Sequence, residues 1–408
     1  MKIRVNAAMA RASGMFLKSI KRAGLLFLVL AWLALPQAVY AEDALQDSRF
    51  REQILNGQLK NEEVRNVRDA VDRALKDIKE LDYDFSVDRI LEDAAKGMPM
   101  NRLNGLPSAL LGLLGKEFRA NVLLMLELFA VMLLAAVLKG LQPKEGGLSG
   151  EAVKLAVNGA LAVMAAASFG SIVRLAQGTI ESMQILASVA MPAMYAMMAA
   201  SGQVVSATAL QPLVLAGVNT TCHLFRNIFL PLTVMAGVLF LVDSISDRFK
   251  LKNLAKLLKT IAVWATGAIT LIFSIAVNIQ KISGSAVDAA AVKTAKFAIG
   301  TLVPVAGKNM SDAAETILAC TQAVRNAAGV VTVIGLGILF AVPFIKMVVI
   351  MLVYRLIAAF GAPLSDEGIC GALEDAAGCM SVMIGIMGAS LFVLILLTGT
   401  LMSSTGFA

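Results

Sequence analysis

From residue 119 onward the chain is a succession of apolar runs separated by short polar breaks. A helix needs roughly 20 consecutive apolar residues to cross a hydrocarbon core. Eight runs are predicted to span: 120–138, 152–173, 184–201, 204–222, 227–243, 261–280, 328–353 and 380–401. Two regions keep a second reading. Pro192, Gly202, Gln203 and Pro212 interrupt 184–222, which forms either two spans or a re-entrant pair. Pro343 and Lys346 fall within 328–361, which is either one kinked helix or two short ones. The expected fold class is all-α, a polytopic helical membrane protein with seven to nine spans in 119–408.

Residues 42–118 carry a different pattern. They hold 16 of the 29 acids and 12 bases. Val64, Val67, Val71, Ala74, Ile78 and Leu81 recur at helical spacing and predict an amphipathic helix. Ser86 is placed to cap a second helix that stops at Gly97, because a side-chain oxygen there can accept a free first-turn N–H. Residues 101–114 read as a linker into the membrane. The two helices either pack on each other or on the membrane surface, or dock an extracytoplasmic partner. Upstream, residues 1–22 are basic and 23–35 are uncharged and apolar, followed by Pro36 and Val39-Tyr40-Ala41. This is the order of a secretory signal peptide, and its apolar run rises only about 20 Å as a helix, short of a full crossing. The expected division is a signal peptide over 1–41, cleaved after Ala41, then a short helical extracytoplasmic region over 42–118.

Composition narrows the function class. The chain is 58% hydrophobic and 16% charged, with a mean hydropathy of +0.76. A soluble domain carries about 25% charged residues, so an ordinary soluble enzyme is excluded. Of the net charge of +7, six units lie in residues 1–41. The basic balance therefore gives no evidence of a nucleic-acid partner, and none is expected; the apolar runs make membrane lipid the expected partner. The loops 139–154 and 244–260 are both basic, with Arg248, Lys250, Lys252, Lys256 and Lys259 in the second. With the mature N-terminus outside, both fall in the cytoplasm, as the positive-inside rule requires. The segment 362–379 has four acids and no base, which favours the outside. Phe249–Lys259 reads as a basic amphipathic helix on the anionic inner leaflet.

No P-loop, zinc-protease, nucleophile-elbow or dinucleotide motif is present. Four cysteines lack a C-x-x-C pair, and one histidine supports no multi-histidine metal site. No enzyme activity, catalytic residue, cofactor or metal is expected. The candidate intramembrane polar residues are Glu127, Lys346, Asn219 and His223. A charge at mid-bilayer costs about 2.5–3.5 kcal/mol on the insertion scale, so Glu127 is expected to face the bundle interior or water. It is either a proton or ion site, or the structural partner of a base such as Lys346. Asn219 and His223 are one turn apart and read as a hydrogen-bonded pair or, less simply, a ligand site. Ser311 is placed to cap a helix through Val324. A shift of 112 residues superposes 120–138 and 152–173 on 227–243 and 261–280, which leaves an internal duplication open.

The order of parts, with Pro304-Val305-Ala306-Gly307-Lys308, Ser311-Asp312-Ala313, and Tyr354-Arg355 through Pro363-Leu364-Ser365-Asp366, resembles the stage III sporulation protein AE family. That resemblance implies a permease-like membrane component of a channel or secretion-like complex joining mother cell and forespore. It would sit in the mother-cell membrane around the forespore and support late forespore gene expression. It implies partners in the same complex: a separate ATPase, ring-forming extracytoplasmic proteins and a forespore-side protein. Pro304, Gly307, Lys308, Ser311, Asp312, Pro363 and Asp366 are its motif residues. The competing readings are a self-contained secondary transporter using Glu127, and a non-conducting scaffold.

Overall fold

The computed structural model of the chain describes residues 48–76, 86–97, 105–140, 148–244, 251–302, 307–361 and 367–402. The expected signal peptide and Ala41 lie outside them. Every element among the described residues is helical.

Three short helices come first: α1 (Ser48–Gln58), α2 (Glu62–Lys76) and α3 (Val87–Ala95). Acids at Glu62 and Glu63 suit the first turn of α2, where they meet the positive end of the helix dipole. Its valines at positions 64, 67 and 71 are buried, as their spacing predicts. Ser86 stands at the N-cap of α3, but its side chain makes no capping bond; its carbonyl accepts from the Ile90 N–H at 3.3 Å. Gly97, at φ 67°, ends the segment in the left-handed region open to glycine. These apolar faces are spent on the rest of the molecule. Val71 lies against Leu186 and Gly335, and Gln58 Nε2 donates to Thr321 Oγ1 at 2.7 Å.

The long helices are α4 (Leu106–Gly140), α5 (Leu148–Ala200), α6 (Val204–Leu224), α7 (Leu230–Asp243), α8 (Lys252–Leu302), α9 (Gly307–Gly361) and α10 (Glu367–Met402). A five-residue π-helical stretch, Phe225–Phe229, joins α6 to α7. Several expected boundaries are corrected. The runs 152–173 and 184–201 form one helix of 53 residues, continuous through Pro192. The runs 204–222 and 227–243 likewise share one continuous helical rod. Residues 184–222 are therefore an ordinary helical hairpin with its tip at 201–203, and 328–361 is unbroken through Pro343. An apolar surround gives a freed carbonyl no water to turn to, so a proline bends such a helix more readily than it ends it. Within the basic stretch, Lys252–Lys259 forms the first turns of α8 rather than a separate surface helix among the described residues. Residues 106–114, expected as linker, are already helical; Pro107 needs no N–H in the first turn, and Leu113 is buried beside Val342, Ile345 and Val349. Five segments are long and apolar enough to cross a membrane among the described residues: Ala162–Ala200, Val204–Asp243, Lys252–Ile279, Thr316–Gly361 and Cys370–Met402.

Side-chain pairs fix the packing. Gln184 meets Asn219 and Glu181 meets Arg226, so α5 and α6 run antiparallel. Gly329 abuts Met402 and Gly361 abuts Cys370, so α9 and α10 do too. The bundle has two ends. At the tip end lie the 201–203 turn, Arg325 and Met402. At the basic end, Lys252 Nζ reaches Asp375 Oδ2 at 3.2 Å, and Asp243 Oδ1 accepts from the N–H groups of Leu251 and Lys252 at 2.7 and 3.0 Å. Asp375 therefore shares the end of the basic loop 244–260. The outside placement expected for 362–379 is corrected: Asp375 answers Lys252. α1–α3 cover the tip half of α9, and α4 runs along its other half, from Leu113 beside Val349 to Met132 beside Gly361.

Candidate functional site

The densest buried polar cluster sits at the tip, where the α5–α6 turn is gripped from two sides. Gly202, at φ 83°, lets the chain reverse within three residues, and the Gln203 N–H closes back on the Met198 carbonyl at 3.1 Å. On one side Arg325 of α9 is fully buried. Its guanidinium donates to Gln203 Oε1 at 2.7 Å, Ser201 Oγ at 3.3 Å and the Met402 carbonyl at 3.2 Å. One side chain thus ties the turn to the end of α10. On the other side Asp288 of α8 is buried and accepts from the Val205 and Ser206 N–H groups at 2.9 and 2.8 Å. Those donors have no partner inside their own helix, and a carboxylate also suits the positive end of its dipole. A fixed positive and a fixed negative charge therefore bracket one turn.

A second buried contact ties α9 to α5 nearer the basic end. Tyr354 donates from its hydroxyl to the Ala165 carbonyl at 2.7 Å and also bonds Ser168. On the short helices, Arg68 reaches Asp69 and Asp88 at 3.0 and 3.3 Å, and Lys96 reaches Glu92 at 2.6 Å. The side-chain hydrogen bond to Asp69 raises the Arg68 pKa, and the one to Glu92 raises that of Lys96.

The residues singled out from sequence are dispersed. Glu127 was expected to face the bundle interior or water, and it stands on the exposed face of α4. Lys346 reaches a different acid, Glu117, at 3.9 Å. The run of leucines around Glu127 offers two faces, and Leu113 and Met132 take the buried one. Asn219 and His223 do not pair with each other. Asn219 receives Gln184 and donates to the Leu215 carbonyl, while His223 Nδ1 meets Asn227 Nδ2 at 2.8 Å. Both are exposed. Gly307 and Lys308 open α9, and Ser311 and Asp312 lie inside it, so the helix starts before Ser311 rather than at it. Pro304, Pro363 and Asp366 lie outside the described residues. Among the described residues no group of three or more His, Cys, Asp or Glu side chains is placed to hold a metal. Cys222, Cys320, Cys370 and Cys379 are buried and reduced.

Arg325 and Asp288 were not legible as a pair. Both fall in 281–327, which reads as a non-spanning interval, and 37 positions separate them. The available signal was a lone arginine between apolar turns, in Ala323-Val324-Arg325-Asn326-Ala327.

Long apolar helices in antiparallel hairpins, with a lysine-rich end, define a multi-pass helical membrane protein. Comparison with known proteins narrows the class. The family model described as Stage III sporulation protein AE matches residues 85–406. A relative of that name from Bacillus subtilis (strain 168) is 29% identical over 295 residues, covering 70% of this chain and 74% of the relative. No solved structure matches. The chain belongs to the stage III sporulation protein AE family, and is a sporulation protein of the membrane.

Proposed function

We propose that this protein is a membrane component of a channel or secretion-like complex that joins mother cell and forespore. In this reading it sits in the mother-cell membrane around the forespore and is needed for late forespore gene expression. Its partners are other stage III sporulation proteins: a separate ATPase at the cytoplasmic face, ring-forming extracytoplasmic proteins and a forespore-side protein. The observation that carries the reading is a bundle of five membrane-length helices in a sporulation family, with polar helices docked on the half away from the basic end. Such a body is suited to meet partners on both sides of one membrane.

The competing transporter reading used Glu127 as its coupling residue. That carboxylate stands on the outer face of α4, outside any enclosed path in a single chain. A clean deletion, scored by microscopy and by a late forespore reporter, tests the proposal. The expected result is engulfed forespores that shrink and stay silent, with rescue by the wild-type chain. Normal late expression in the deletion strain would overturn it.

A further inference from the structure

Contacts at the basic end tie α4 and α8 to one level. Gly361 of α9 lies against Met132 of α4 and Cys370 of α10. Gly371, the next residue of α10, lies against Lys252 of α8. Met132 and Lys252 therefore mark the same height. From there α4, read backwards, and α8, read forwards, both climb toward the tip at about 1.5 Å per residue. Glu127 lies five residues up α4, and Lys256 four residues up α8. Leu126 and Leu257 come at six and five, Leu123 and Ile261 at nine each, and Arg119 and Trp264 at thirteen and twelve. Each pair is level to within one residue, about 1.5 Å.

All of these side chains are exposed, Leu123 by 65% and Trp264 by 76%. Positions 119, 123, 126 and 127 share one stripe of α4, and 256, 257, 261 and 264 share one stripe of α8, because residues three, four, seven and eight apart fall on one helix face. Within one chain α4 packs on α5 and α9, while α8 packs on α6, α7, α9 and α10, so neither stripe is spent on the other. A lipid surround accounts for the leucines but not for Glu127, which stands between exposed Leu123 and Leu134. Among the described residues neither Glu127 nor Lys256 makes an ion pair. The two stripes are complementary at matched heights: acid level with base, apolar level with apolar, and arginine level with tryptophan.

We infer that copies of this chain associate side by side, with the α4 stripe of one copy against the α8 stripe of the next. Copies inserted in one membrane share an orientation, so equal heights meet and the two helices run antiparallel. Glu127 then faces the partner's Lys256, the leucines interleave with Ile261, and the Arg119 guanidinium lies against the Trp264 ring. Two α4 stripes facing each other would instead set Glu127 beside its own copy, with like charges together. Because two different faces meet, the contact repeats around a ring or along a row rather than stopping at a pair. The inference does not rest on the channel reading.

The test is disulfide cross-linking in membranes of sporulating cells that make two differently tagged full-length copies. One copy carries Leu126→Cys and the other Leu257→Cys. The four native cysteines are buried and supply a low background. Oxidation is expected to give an adduct of twice the chain mass that carries both tags. Leu126→Cys against Ile275→Cys, whose thiol stands 18 residues and about 27 Å higher on α8, is expected to give about tenfold less. Adding Glu127→Lys to the first copy sets two cations together and should cut the matched adduct about tenfold. Adding Lys256→Glu to the second copy should then restore it. Equal adducts from the matched and mismatched pairs would overturn the inference by making the contact a random encounter. A strong adduct between two Leu126→Cys copies would overturn it by setting α4 against α4. A variant that fails to accumulate is replaced by the pair Leu123→Cys and Ile261→Cys, and no adduct from accumulated copies of either pair would also overturn it. If cross-linking follows the expected pattern while the deletion strain sporulates normally, the association stands and the sporulation role falls.

Discussion

The two ends of the bundle hold their turns by different means. At the tip, Arg325 and Asp288 are buried and bind backbone and uncharged side chains. At the basic end, Lys252 and Asp375 meet while their side chains keep 48% and 27% of their exposure. Both ends use charge, but only the tip removes it from water. Where solvent is near, a lost partner is replaced by water and little changes. Where solvent is absent, the orphaned donors and acceptors stay unpaired, and each costs about 1–3 kcal/mol. The tip should therefore be the brittle end.

The largest effect is expected from Arg325→Ala, which strips Gln203, Ser201 and the Met402 carbonyl of their donor. A loss of about 3 kcal/mol is expected, read as a much shorter lifetime of folded protein on heating in detergent. A variant as stable as the wild type would erase the contrast between the ends. Asp288→Ala should cost about 2 kcal/mol, since two N–H groups at the start of α6 lose a charged acceptor. Asp288→Asn, which keeps one oxygen, should fall between it and the wild type in the same assay. Gly202→Ala forces a side chain into φ 83° and should cost about 1 kcal/mol. At the other end, Lys252→Ala should cost less than about 0.5 kcal/mol. A loss there equal to that of Arg325→Ala would mean that the basic end is sealed from water by another protein. Smallest of all, Glu127→Gln is expected to leave spore yield unchanged, because the carboxylate bonds nothing in the bundle core. A fall in yield would return Glu127 to the candidate coupling residues.

The helices were legible because hydrophobic runs report burial and lipid directly. The valine spacing of α2 and the stop at Gly97 were legible for the same local reason. Helix lengths were not, since 152–173 and 184–201 look like two spans when a bilayer-sized window is slid along one 53-residue helix. Between them, Arg174, Gln177 and Glu181 lie on one face of an unbroken rod. Partners were the least legible. Lys346 found Glu117 rather than Glu127, ten residues further along the same helix, and only the relative shift of α4 and α9 decides between them. Asp288 and Arg325 gain meaning from a turn that lies 83 and 122 residues upstream of them, which no local pattern reports.

The π-helical stretch Phe225–Phe229 has one more residue in its turn than an α-helix would. Each residue turns an α-helix by about 100°, so that single extra residue sets the phase of everything after it. Upstream, α6 turns polar groups outward; downstream, α7 turns out Met235, Val238 and Val242 and buries Phe240 and Leu241. Excising one residue, Ile228, would let the rod close into a regular α-helix and rotate α7 by more than a quarter turn. Gly237 would then leave Phe169, whose ring sits where any larger residue would collide. One codon thus acts as a phase marker between two differently faced halves of the same rod.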